Sequence, residues 1–268
     1  MPAESLLNKR TLLFAGLGGF FVANALIAEF MGVKLFSLER SLGWIPADMT
    51  LFGESGLSFN LSAGVLLWPF VFVLTDLVNE YFGPRGVRFL AWTTVGFMLY
   101  GFAMFYLAIA LEPADFFVEM HLAGLDATER TAAAARVGDF NAAYGLVFGQ
   151  SMWIIAGSVT AFLLSQLVDV FVFHRIKKTT GERLLWLRAT GSTLVSQLID
   201  SFVVLGIAFL LPGRITFANF IALGLIAYAY KFIMALLLTP AIYGAHALID
   251  RYLGDELSSR LRTEAMTA

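Results

Sequence analysis

The feature that most constrains this chain is a series of apolar runs, each long enough to cross a bilayer. A helix needs about 20 mostly apolar residues for one crossing. Six stretches qualify: Thr11–Phe30, Ser62–Glu80, Phe89–Leu111, Tyr144–Phe173, Ala189–Leu211 and Phe217–Tyr243. Only helices and closed barrels satisfy their backbone groups in lipid, and runs of this length fit helices. The spacing therefore predicts an all-α, polytopic membrane protein with six transmembrane helices in a single domain covering residues 1–268. Composition agrees: 59% of residues are hydrophobic, 14% are charged and mean hydropathy is +0.77. Those values exclude a disordered chain and an ordinary cytosolic enzyme. A net charge of −2 offers no field to attract nucleic acid.

Basic residues predict the orientation. With the N-terminus inside, the inner segments hold twelve Lys and Arg, the outer loops hold five, and Lys231 lies within a span. That asymmetry puts both termini in the cytoplasm. Lys9 and Arg10 precede the first run, but Asn24 and Glu29 interrupt it and no cleavage site is clear, so it reads as a retained span rather than a signal peptide. The fourth run is long enough that it is expected either to tilt or to extend beyond the bilayer. Residues Met31–Leu61, with Pro46 and four glycines, read as a re-entrant or interfacial piece. The acidic loop Glu112–Ala143 reads as an outer loop with a short alanine-rich surface helix.

Function must come from polar residues inside the spans, because an ionisable group there is costly. Asp76 and Glu80 share a helix face. Gln166 lies three residues before Asp169, and Gln197 three before Asp200. Asn24 and Lys231 complete the set of candidate substrate-binding residues. Residues Ser165–Asp169 (SQLVD) and Ser196–Asp200 (SQLID) repeat one pattern at an offset of 31, on adjacent spans. Two antiparallel copies of this kind are able to line facing walls, as in transporters built from inverted repeats; the alternative is coincidence between similar helices. Asp200 and Lys231 both fall near mid-membrane and are expected to pair. Glu80 reads either as a site residue or as a carboxylate snorkelling to the interface. Asn24 and Gln150 read either as ligands or as interhelical hydrogen-bonding groups. Phe70, Phe72, Trp153 and Phe202 are candidate stacking partners.

Other chemistry is excluded or unsupported. There is no cysteine, and the three histidines are too dispersed for a metal motif, so neither metal nor cofactor is expected. No GxxxxGK[ST] loop is present. The GxGD motif of intramembrane aspartyl proteases is also missing. The residues by themselves point to a small polar solute, carried by a transporter or held by a substrate-binding membrane subunit.

Four segments carry a family resemblance: Leu67–Arg88 (LWPFVFVLTDLVNEYFGPRGVR), Leu187–Phe202 (LRATGSTLVSQLIDSF), Phe162–Arg188 and Tyr230–Tyr243. They resemble the queuosine precursor transporters, also called vitamin uptake transporters, over roughly Thr11–Tyr252. The resemblance implies a multi-pass protein of the bacterial inner membrane that imports 7-deazaguanines such as preQ0 or preQ1 for tRNA modification. It also implies a fold similar to the substrate-binding subunits of energy-coupling-factor transporters, which need a separate ATPase module. On this reading a carboxylate accepts from the base's N1–H and exocyclic amine. Gln197, Gln166, Asn24 or Lys231 donates to the ring carbonyl, and the aminomethyl cation of preQ1 suits Asp76 or Asp169. A homodimer and an ATP-driven partner both remain open, as does the energy source.

Overall fold

The computed structural model describes residues 3–181 and 184–267. It is 79% helical. Among the described residues, five helices are long and apolar enough to cross a membrane. Helix α1 spans Ala3–Met31, α3 spans Trp68–Ile109, α7 spans Met152–Thr180, α8 spans Leu185–Leu205 and α9 spans Phe217–Leu253.

Six runs are expected and five helices are counted because α3 contains two of those runs. Its 42 residues would reach about 63 Å if straight, twice the hydrocarbon thickness. Gly83 interrupts it, with φ 68° and ψ −170°, and Pro84 follows. Glycine reaches this left-handed φ without the clash a Cβ would bring. The chain doubles back there. A Cβ added at Gly86 would lie 3.2 Å from the Val78 side chain, whereas residues eight apart in a straight helix are about 12 Å apart. The expected second and third spans are therefore the arms 68–82 and 84–109 of a helical hairpin.

The second arm packs beside α1 in parallel. Phe14 meets Phe89 at 6.2 Å, Leu90 lies against Gly18, and Phe30 meets Phe105 at 4.8 Å. The antiparallel pair α7 and α8 closes tightly at Gly157. A Cβ there would sit 3.1 Å from the Val204 carbonyl oxygen, which is how small residues let membrane helices approach. The last turns of α8 open into a π-type turn over Gly206–Leu210.

The expected fourth span, Tyr144–Phe173, is broken: α6 covers Phe140–Phe148, and α7 begins only after Ser151, whose hydroxyl caps its first turn. The helix then continues to Thr180. For residues 32–67 the structure agrees with the interfacial alternative rather than the re-entrant one. They form two small antiparallel ribbons around a short helix α2, Leu38–Ser41. Strands β1 (Leu35–Ser37) and β4 (Asn60–Ser62) pair, as do β2 (Met49–Leu51) and β3 (Glu54–Leu57). Phe52 and Gly53, both at positive φ, make the two-residue turn between β2 and β3. Leu57 and Leu61 pack onto Ala222, Ile226 and Tyr230 of α9, so the ribbons lie across one end of the bundle.

In the acidic loop α4 (Phe117–His121) and α5 (Ala127–Val137) are surface helices, the latter opened by an Asp126–Glu129 capping box. At the opposite end from the ribbons, α10 (Asp255–Thr267) buries Leu257, Leu261 and Ala265 against the Gly83 turn.

Candidate functional site

A cavity opens between the first arm of α3, α8 and α9, with about 460 Å³ of empty space counting its mouth. Helix α3 contributes Trp68, Phe72, Val73 and Asp76; α8 contributes Thr190, Thr193 and Gln197; α9 contributes Tyr230, Lys231, Leu238 and Ile242. The wall is mainly apolar, with a few convergent polar groups.

Asp76 is the acidic member of the wall. It is 1% exposed, and its Oδ2 receives a long hydrogen bond of 3.5 Å from the Thr193 hydroxyl. Its Oδ1 has no hydrogen-bond partner among the described residues. Lys231 reaches Asp200 at 2.5 Å, the mid-membrane pair expected from charge compensation. Asp200 itself does not line the cavity; its contact there is with Lys231.

The remaining candidates sort by distance from the cavity. Gln166 and Asp169 sit behind Asp76, fully buried. Gln166 accepts from Thr75 at 2.9 Å, and Asp169 accepts from Ser196 at 3.1 Å. The two SQLxD copies thus do not line facing walls. Asp169 is turned onto α8, whereas Asp200 is turned onto α9. Antiparallel neighbours present different partners to equivalent positions, so the local pattern does not carry over to the tertiary site.

Glu80 is not snorkelling at an interface. It is 1% exposed and held by Lys177 at 3.0 Å and by Arg188, which donates to both of its oxygens at 2.9 and 3.1 Å. This cluster lies one helical turn beyond Asp76, away from the ribbons. Asn24 is buried on α1, away from the cavity, and donates to the Phe20 carbonyl at 2.8 Å. Gln150 donates to the Glu29 carbonyl at 3.3 Å and so bridges the start of α7 to α1.

Of the expected aromatic partners, Phe72 lines the cavity. Phe70 and Trp153 point outward, and Phe202 packs on Gly224 and Phe220. Trp68 and Tyr230 line the cavity beside Phe72. Nothing in the apolar runs singles them out, since aromatic residues are abundant throughout. Lys177 and Arg188 read in sequence as loop charges. Each lies within a turn of a helix end, and the unpaired Glu80 was the signal that a cation must come in to meet it.

Beyond Glu80 a second polar cluster joins α3, α9 and α10. The Tyr81 hydroxyl donates to Asp250 at 2.7 Å and lies 3.0 Å from His246 Nδ1. Asp250 also accepts from Ser258 at 2.5 Å and from Arg262. No group of three or more His, Cys, Asp or Glu able to hold a metal occurs among the described residues.

Residues 62–245 match the model of the family described as "Putative vitamin uptake transporter". The chain belongs to this family. Every residue that lines the cavity falls inside the matched stretch. The chain is 31% identical to the "Probable queuosine precursor transporter" of Bacillus subtilis, over 75% of this chain and 78% of that protein. It is 26% identical to the protein of the same name from Haemophilus influenzae, over 81% and 83% of the two chains. It is 25% identical to the "Queuosine precursor transporter" of Escherichia coli, over 70% and 73%. No solved structure matches. The protein is a multi-pass membrane transporter, not an enzyme.

Proposed function

We propose that this protein imports 7-deazaguanine precursors of queuosine, such as preQ0 and preQ1, across the bacterial inner membrane. The reading rests on its kinship with the queuosine precursor transporters. The observation that carries it to a site is Asp76: a buried carboxylate with one oxygen lacking a hydrogen-bond partner among the described residues, on the wall of a cavity also lined by Trp68 and Phe72. Such a carboxylate accepts two parallel N–H bonds from N1 and the exocyclic amine of the base. Gln197 and Lys231 stand on the same cavity wall as donors for the ring carbonyl. Trp68 and Phe72 cover the π-face.

Counting the arms of α3 separately, the chain crosses the membrane six times with both termini in the cytoplasm. Residues 32–67 then cover the site from outside, and the Glu80–Lys177–Arg188 cluster closes it from inside. The protein is self-sufficient on this reading and works without a partner ATPase. The test is uptake of labelled preQ1 by the purified chain in liposomes. Asp76→Asn should cut uptake by about 10–100-fold, the worth of a charged hydrogen bond of about 1.5–3 kcal/mol. Wild-type liposomes that take up no 7-deazaguanine without an added ATPase module would point to a substrate-binding subunit instead. In cells, loss of the gene should lower queuosine in tRNA at low precursor supply, with rescue by excess precursor.

A further inference from the structure

The acidic side chains in the helices around the cavity are sorted by their partners, and Asp250, at the far end of α9, holds Arg262. Glu80 holds Lys177 and Arg188, and Asp200 holds Lys231. Glu29 accepts from Ser158 at 2.5 Å, near the end of α1. Asp76 and Asp169, 1% and 0% exposed, like Glu29 have no cation within ion-pair distance among the described residues, and unlike Glu29 they lie close to each other.

These two carboxylates belong to one cluster. Thr193 donates to Asp76, and Ser196, one turn further along the same face of α8, donates to Asp169. Thr75, adjacent to Asp76, is bonded to Gln166, three residues before Asp169. Among the described residues each carboxylate leaves one oxygen without a hydrogen-bond partner, Oδ1 on Asp76 and Oδ2 on Asp169. The other charged or titratable groups facing the cluster are Glu80 with its two cations from α7 and α8, His174 on α7, and His246 on α9. Lys177 and Arg188 are bound by Glu80, and Arg188 also lies within electrostatic reach of Asp76. Two adjacent carboxylates shielded from water cannot both ionise without a large cost.

We propose that Asp76 and Asp169 share one proton, and that this proton enters the cell with the substrate. The proposal rests on the transport reading above and supplies its energy source. While the cavity faces outward, water delivers a proton to Asp76. When a base arrives, its N–H donors claim the Asp76 oxygens. The O–H bond on Asp76 breaks and one forms on Asp169, where Ser196 supports the other oxygen. After the site opens inward, the base leaves, the proton returns through Asp76, and it passes to cytoplasmic water. One proton and one base cross per cycle, with no redox change. Asp169 does not line the cavity, so it acts as a positioning and proton-holding residue rather than a ligand.

The test uses the full chain in liposomes with labelled preQ1. Two readouts are needed: counterflow exchange, and net accumulation under an imposed pH gradient. Wild type should exchange at any gradient. It should accumulate up to about tenfold per unit of pH when the outside is acid, a ratio collapsed by a protonophore. Asp169→Asn should keep counterflow within a few-fold of wild type but bring the accumulation ratio to one. Asp169→Glu should restore gradient-driven accumulation. Wild-type accumulation that ignores pH, or that follows a sodium gradient instead, overturns the proposal even if the Asn variant fails to fold. So does an Asp169→Asn protein that accumulates like wild type. Absence of wild-type counterflow would instead sink the transport reading itself.

Discussion

At the scale of single residues, the bundle handles each buried charge by a different route. Asp200 and Lys231 neutralise one another near the cavity, with side chains 21% and 13% exposed. Breaking a fully buried pair costs about 3–5 kcal/mol, and partial exposure reduces this to about 2 kcal/mol. Asp200→Asn should therefore lower the melting temperature in detergent by several degrees and abolish uptake, because Lys231 is left unpaired on the cavity wall. Adding Lys231→Met should recover the melting temperature without recovering uptake. A double variant as unstable as the single would show that the pair is not what matters. Most of these residues were legible in the chain, because a charge within an apolar run has few structural excuses. Their roles were not. Gln166, Asp169 and Glu80 look in sequence like Asp76, and only the packing shows that one faces the cavity and the others do not.

At the scale of elements, Gly83 matters most. It allows 42 residues to form a hairpin instead of a rod, and α10 seats on the turn it makes. A Cβ at Gly83 would stand 2.8 Å from the Ala265 carbonyl oxygen, at a φ that L-residues avoid. Gly83→Ala should cost roughly 1–2 kcal/mol from backbone strain alone, and more from the collision with α10. The checks are yield of folded protein and thermal stability in detergent; a variant as stable as wild type would refute the strain argument. The apolar runs on either side of Gly83 were plain in sequence. The interval between them left room for an inner loop, but the tight reversal at Gly83 was not read from it. Phe52–Gly53 and the ribbons around it were missed because short strands of three or four residues lack a readable alternation.

At the scale of the whole molecule, the two ends of the bundle are closed differently. The ribbon end depends on Glu39, a buried carboxylate outside the spans. Burial pushes its carboxyl up, but the Phe59 backbone N–H at 2.8 Å and the Ser37 hydroxyl outweigh that and hold it below the usual carboxylate range. A depressed folded value means the stabilisation is present above the ordinary carboxylate value and is lost as pH falls through the folded one. Hydrogen-exchange protection of the Phe59 amide should hold at neutral pH and decline below about pH 4. Glu39→Gln should remove that pH dependence. The α10 end depends on apolar burial, since Leu261 is 1% exposed. Leu261→Asp should release α10 and lower the melting temperature by more than any single substitution in the ribbons. Limited proteolysis at the C-terminus would report the release, and a protected C-terminus in that variant would count against it.

The chain by itself determined that this is a helical membrane protein, where its apolar runs lie and which of their residues carry chemistry. Hydropathy and the cost of buried charge are local properties, readable one residue at a time. What only the tertiary structure decided was which of those residues meet. A cavity wall is assembled from three helices distant in sequence, and rotation of each helix about its own axis is set by packing against its neighbours. That rotation turns Asp76, Gln197 and Lys231 toward the cavity, Asp169 behind it and Glu80 onto two cations from the ends of α7 and α8.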